Sequence, residues 1–130
     1  MSRQHLTLAE GRWNTLSLVE QLGNIGSEVE RALQWKEKGN EEYAMRAMDR
    51  ALELFALTLA CPGNLGRLRE ITRAREVLLD FVFGENQYMS TDESLKQYYI
   101  PFAIAARRAH ERGAAYNRDC YSQTNQKPTS

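Results

Sequence analysis

The chain has 130 residues, enough to bury one core without disulfides or metal; 42% of them are hydrophobic and 26% charged, as in an ordinary globular domain. Its 17 Lys and Arg balance 17 Asp and Glu, so no bulk charge points to nucleic acid or a membrane surface. No stretch approaches the roughly 18 apolar residues of a membrane span.

The opening MSRQHLTLAEGRW lacks the continuous apolar region of a secretory signal, and cytoplasmic location is the expectation. Apolar residues then recur with the 3.6-residue period in four segments, and sustained strand-like alternation is absent. The first predicted helix spans about 13–38, with Leu18, Leu22, Ile25, Val29 and Ala32 on one stripe. Gly23 and Gly26 lie close to that stripe. A mid-helix glycine costs about 1 kcal/mol against alanine, so close approach of a neighbouring helix is the expected compensation.

Gly39-Asn40 is a stop-and-cap pair, and a second helix over about 40–60 follows, with Glu41 and Glu42 at its positive start. Its stripe is Ala44, Met48, Ala51, Phe55 and Thr58, and Pro62-Gly63 ends it. A third helix over about 65–83 carries Leu68, Ile71, Ala74, Leu78 and Phe81 inward, with Gly84 just past its end. The segment FGENQYMSTDES reads as a connector in which Ser90 and Glu93 have capping-box spacing. A fourth helix over about 91–112 has Leu95, Tyr98, Phe102, Ala105 and Ala109 on its stripe. Pro101 should kink this helix rather than split it, since the stripe continues in phase, and Gly113 should end it. Residues 114–130 read as a polar, disordered tail. Four amphipathic helices with short connections predict an all-α, antiparallel up-down-up-down four-helix bundle over residues 1–113.

The stretch WKEKGNEEYAMRAMDRALELFALTLACP, Trp35 to Pro62, resembles a single tetratricopeptide repeat through Trp35, Gly39, Tyr43, Met48, Ala51 and Phe55. No second copy follows, whereas stacked repeats need about three. Within it, GNEEYAMRAMDRALELFALTLA is similar to the paired-helix core of HEPN-like domains, small prokaryotic helical bundles. That resemblance implies a four-helix fold and a component that binds RNA or a nucleotide, in some cases beside a nucleotidyltransferase. The ribonuclease members carry an Arg four to six residues before a His; here Arg107 and Arg108 stand too close to His110, so the catalytic motif is absent.

Other chemistries find no residues either. Neither histidine has a Glu three positions before it, as a di-metal carboxylate bundle requires. Phosphate-binding glycine loops, zinc cysteine pairs and nucleophile–base sets are missing. Cys61 reads as a small apolar residue ending the second helix, and the acids of FGENQYMSTDES as caps. We therefore expect no catalytic residue, no metal and no cofactor.

What remains is charge placement. In the bundle, Arg67, Arg69, Arg107, Arg108 and Arg112 collect at one end, while Glu41, Glu42, Asp80, Glu85, Asp92 and Glu93 collect at the other. Arg67 and Arg69 oppose the helix macrodipole, with Glu70 placed to offset them. This arginine end is the candidate for contact with an anion or nucleic acid. Trp35 and Tyr88 are the candidates for contact with a partner, since aromatic residues and Arg are enriched at interfaces. The expected function is a non-enzymatic module that self-associates or binds a partner protein; the alternative is a HEPN-like component binding RNA or a nucleotide through the arginines.

Overall fold

The computed structural model describes residues 10–125, with side chains described for residues 10–112. Every regular element among the described residues is helical, and no strand occurs among them. A helical stretch at residues 10–13 precedes α1, Leu18–Glu37. The helix expected to start at Trp13 therefore starts five residues later. Ser17 is the cause: its hydroxyl accepts from the Glu20 N–H, and the Glu20 carboxylate accepts from the Ser17 N–H. This capping box satisfies two orphan donors and sets the boundary.

The stripe of α1 is buried as its spacing requires: Leu22, Ile25, Val29 and Ala32 are nearly inaccessible, joined by Leu33. α2, Glu41–Ala60, follows Gly39 at φ 81° and the N-cap Asn40, whose side chain accepts from the Tyr43 N–H. It buries Ala47, Met48, Ala51, Phe55 and Thr58. Full burial of a side chain such as Phe55 or Ile25 stabilises by about 1.5–3 kcal/mol. Glu28 bridges Arg31 on its own helix at 3.2 Å and Arg50 on α2 at 3.1 Å.

At Cys61 the chain turns into a 3-10 helix, Pro62–Arg67, before α3, Leu68–Phe83. The third helix thus enters its α-form later than residue 65. Asn64 is the reason, because it is buried and faces inward rather than capping. Its Nδ2 donates to Gln21 Oε1 at 2.8 Å and to the Thr58 carbonyl at 2.9 Å. Gln21 Nε2 donates in turn to the Trp13 carbonyl at 2.9 Å and lies 3.6 Å from the Cys61 sulfur. Trp13 Nε1 completes the set by donating to Thr58 Oγ1 at 2.8 Å. Two stretches of chain distant in sequence, Trp13 to Gln21 and Thr58 to Asn64, are joined by one satisfied polar network, which carries specificity that apolar packing alone would lack.

α4, Asp92–Asn125, is continuous across Pro101. Pro101 and Gln97 are both exposed, so the carbonyl that proline leaves without an N–H faces water. The helix also passes Gly113, so the tail expected from residue 114 is helical to Asn125; residues 126–130 lie outside the described residues. Two further expectations change at α4. The cap is Thr91 with Ser94, not Ser90 with Glu93: Thr91 Oγ1 accepts from the Ser94 N–H at 3.0 Å, and Ser94 Oγ from the Thr91 N–H at 2.8 Å. Of the expected stripe Leu95, Tyr98, Phe102, Ala105 and Ala109, Leu95 is buried and Phe102, Ala105 and Ala109 are half-buried, but Tyr99 rather than Tyr98 turns inward and Ala106 is the alanine that meets Gly23. The sequence pairs Tyr98-Tyr99 and Ala105-Ala106 are degenerate, so periodicity alone could not choose the phase.

The glycines choose it. A Cβ on Gly26 would lie 2.6 Å from Tyr99 Cβ, and one on Gly23 would lie 2.9 Å from Ala106 Cβ. α1 and α4 meet at backbone-limited distance, as the mid-helix glycines required. Their neighbours run in opposite order, Gly23 beside Phe102 and Ala106, Gly26 beside Tyr99, and Lys36 3.6 Å from Asp92. α1 packs extensively on both α2 and α4, whereas α3 makes a smaller contact with α2. That imbalance leaves space beside α3.

Candidate functional site

The space is a groove of about 400 Å³ between α3 and α4, within the size range of small-molecule sites. Ala74 and Val77 from α3 and Leu95 from α4 give it an apolar lining. The 84–91 connector contributes Ser90 to one end of it. Asp80 accepts from the N–H groups of Gln87 at 2.9 Å and Tyr88 at 3.0 Å, clamping the loop to the end of α3. Asn86, at φ 56°, accepts from the Ser90 N–H and donates to the Ser90 carbonyl, both at 2.8 Å. Ser90 is buried by this ring and lines the groove.

Polar groups gather at the two ends of the groove. At the loop end stand Ser90 and Arg73, whose guanidinium lies 5.7 Å from the Tyr88 ring centre. At the far end stand Glu70, Tyr98 and Tyr99. Tyr98 and Tyr99 pack edge to face at 4.9 Å. Burial pushes the Tyr99 phenol well above its ordinary range, and the neighbouring Tyr98 adds to the shift. Burial also raises Tyr98, with the Glu70 carboxylate contributing. Tyr99 is only 4% exposed and Ser90 8%. Among the described residues neither hydroxyl has a hydrogen-bond partner in the protein, yet neither is sealed off as a buried unsatisfied atom. Both hydroxyls therefore keep some contact with solvent, Ser90 lining this groove and Tyr99 lining both it and a smaller hollow beside Gly26 and Ile100.

The residues singled out from sequence lie elsewhere. Arg67 is paired with Glu70 at 2.7 Å, the offset its position called for. Arg69, Arg107, Arg108 and Arg112 are exposed and form no ion pair among the described residues; Arg112 Nε donates to the Arg108 carbonyl at 3.4 Å. Gln21 touches Asn64 and Gly23 touches Ala106, so both arginine groups belong to the end at which α1 begins. Trp35 packs edge-on against Tyr43 at 4.9 Å, with the Lys38 ammonium 5.1 Å from its ring. Tyr88 turns back onto α3 through Arg73 and a long 3.5 Å contact to Glu76. Among the described residues no three His, Cys, Asp or Glu side chains converge as a metal centre would need.

Periodicity could not reveal the groove, because it arises from the distance between two helices rather than from a motif in either. The adjacent tyrosines Tyr98 and Tyr99, both of which line it, are its one local mark in the sequence. Comparison with family models, curated proteins and solved structures finds no match.

Proposed function

We propose that the chain forms an antiparallel four-helix bundle and acts as a non-enzymatic interaction module that self-associates through the outer face of α4. The observation that carries this reading is Ile100 and Ile104, 50% and 46% exposed and one turn apart. At 100° per residue they lie opposite the buried stripe of Leu95, Tyr99, Phe102 and Ala106, so folding of the monomer does not need them. Removing two isoleucines from water favours association by a few kcal/mol at most, which suits a weak, reversible contact. The same face begins acidic at Glu93 and ends with Arg107, Arg108 and Arg112, with Glu111 among them. An antiparallel second copy brings unlike charges together, whereas a parallel one aligns like charges. Reversed neighbour order between α1 and α4, and the Glu28–Arg50 bridge to α2, support the bundle arrangement. No described helix is long and apolar enough to cross a membrane, in keeping with a module working in the cytoplasm.

Sedimentation velocity across a concentration series tests this. The wild-type chain should show concentration-dependent association, and Ile100→Asp with Ile104→Asp should abolish it without lowering the thermal midpoint. A wild-type protein that stays monomeric at every concentration refutes the proposal.

A second reading rests on its own observation, that Arg69, Arg107, Arg108 and Arg112 are exposed at the α1-start end and form no ion pair among the described residues. In it the chain is a HEPN-like component that holds RNA or a nucleotide through Arg67, Arg69, Arg107, Arg108 and Arg112. Such binding weakens steeply with salt. Absence of binding at low salt, or indifference to Arg67→Ala combined with Arg69→Ala, removes it.

A further inference from the structure

The groove between α3 and α4 has a chemistry of its own, independent of association through the outer face of α4. Its middle is apolar, formed by Ala74, Val77 and Leu95. Its loop end offers the Arg73 guanidinium, which only donates, and the Ser90 hydroxyl, which can donate to an anion and sits on a residue 8% exposed, with no partner for that hydroxyl among the described residues. Those groups match a carboxylate, which a guanidinium holds by charge-assisted hydrogen bonds.

The far end is different. Tyr98 and Tyr99 provide hydroxyls that both donate and accept, and Glu70 provides an acceptor whose charge Arg67 already offsets at 2.7 Å. A second carboxylate would be repelled there, whereas a neutral hydroxyl could donate to Glu70 and accept from Tyr99. The separation follows from helix geometry. Tyr99 stands seven positions into α4, roughly 10 Å along the axis from its start at Asp92 at 1.5 Å per residue, and Ser90 lies just before that start. The two ends of the groove are therefore about two helical turns apart.

We propose that this groove binds a small, uncondensed hydroxy acid of phenolic size, its carboxylate on Arg73 and Ser90, its apolar body on Val77 and Leu95, and its hydroxyl at Tyr99. The hydroxyls of two nearly buried residues, without protein partners among the described residues, are what such a ligand would satisfy. Leaving them to a few confined waters is the alternative state of the empty groove.

The probe is 3-(4-hydroxyphenyl)propionate, titrated into the full chain and followed by amide chemical shifts. Saturable shifts should appear at Ala74, Val77, Leu95 and Tyr99, and not at Ile104. The corresponding neutral amide should bind about tenfold more weakly, and Arg73→Gln should erase that difference. Tyr99→Phe keeps the ring against Gly26 and removes only the hydroxyl. It should weaken the phenolic acid about threefold or more while leaving 3-phenylpropionate unchanged. The proposal is overturned by no saturable shift at the groove, by equal binding of acid and amide, or by indifference of the phenolic acid to Tyr99→Phe. A well-dispersed spectrum of each variant establishes that it is folded. Loss of self-association in the Ile100 and Ile104 variant should leave probe binding intact, so the two proposals stand or fall separately.

Discussion

Gly26→Ala should destabilise the fold although alanine is the better helix former. Gly26 sits within α1, where replacement by alanine ordinarily gains about 1 kcal/mol. The new Cβ, however, would stand 2.6 Å from Tyr99 Cβ, 2.9 Å from Cγ and 3.1 Å from Cδ1. Carbon atoms rest at about 3.5–4.0 Å, so the pair must separate by roughly 1 Å. Tyr99 cannot yield by a rotamer change, because its Cβ is fixed to the α4 backbone. The whole α1–α4 contact has to open, and with α1–α2 it is one of the two most extensive helix pairings. Overpacking of this kind costs about 1–3 kcal/mol, and a rigid backbone-linked clash belongs at or above the upper end. Set against the helix-propensity gain, the net loss is about 2 kcal/mol, or roughly 8 °C in Tm for a domain of this size. Urea and thermal unfolding measure it, with Gly66→Ala as control because nothing lies within 4 Å of a Cβ there. A Gly26→Ala variant as stable as wild type would refute backbone-limited contact between α1 and α4.

Three more predictions concern other parts of the structure. The raised phenol of Tyr99 makes the folded state hold a proton that the unfolded chain loses near pH 10, so its contribution to stability is present below that pH and declines above it. Stability should fall by about 1.4 kcal/mol per pH unit as pH climbs past 10, and Tyr99→Phe should reduce that slope in denaturant titrations; an unchanged slope contradicts the burial of the hydroxyl-bearing ring. Asn64→Ala strips donors from Gln21 Oε1 and the Thr58 carbonyl. It should cost about 2–4 kcal/mol in urea unfolding, more than expected from an exposed turn residue. Thr91→Ala should cost about 1 kcal/mol by loss of the α4 cap, while Glu93→Gln should be nearly neutral; the reverse ranking would restore the cap at Ser90.

Much of this architecture was legible because it is local. Asn40 caps α2 through a bond three residues long, and the stripe of α1 is buried at the spacing that a 3.6-residue helix imposes. The charge of Arg67 is met by Glu70 within one turn. Where the reading went astray, adjacent residues offered equivalent choices. Ser90 and Thr91 both suit a cap, and Tyr98 and Tyr99 both suit a stripe. Local energies differ too little between such neighbours to decide.

Period, propensity and the cost of glycine suffice to specify an all-helical chain, most core residues and the need for a close partner at Gly23 and Gly26. Which helix meets those glycines, which tyrosine is buried there, and the separation of α3 from α4 that leaves a groove emerge only in the folded chain. Those outcomes depend on backbone separations between segments tens of residues apart. The same holds for the network joining Trp13, Gln21, Thr58 and Asn64, whose long-range hydrogen bonds exist only after the stretch around Trp13 and Gln21 has met that around Thr58 and Asn64.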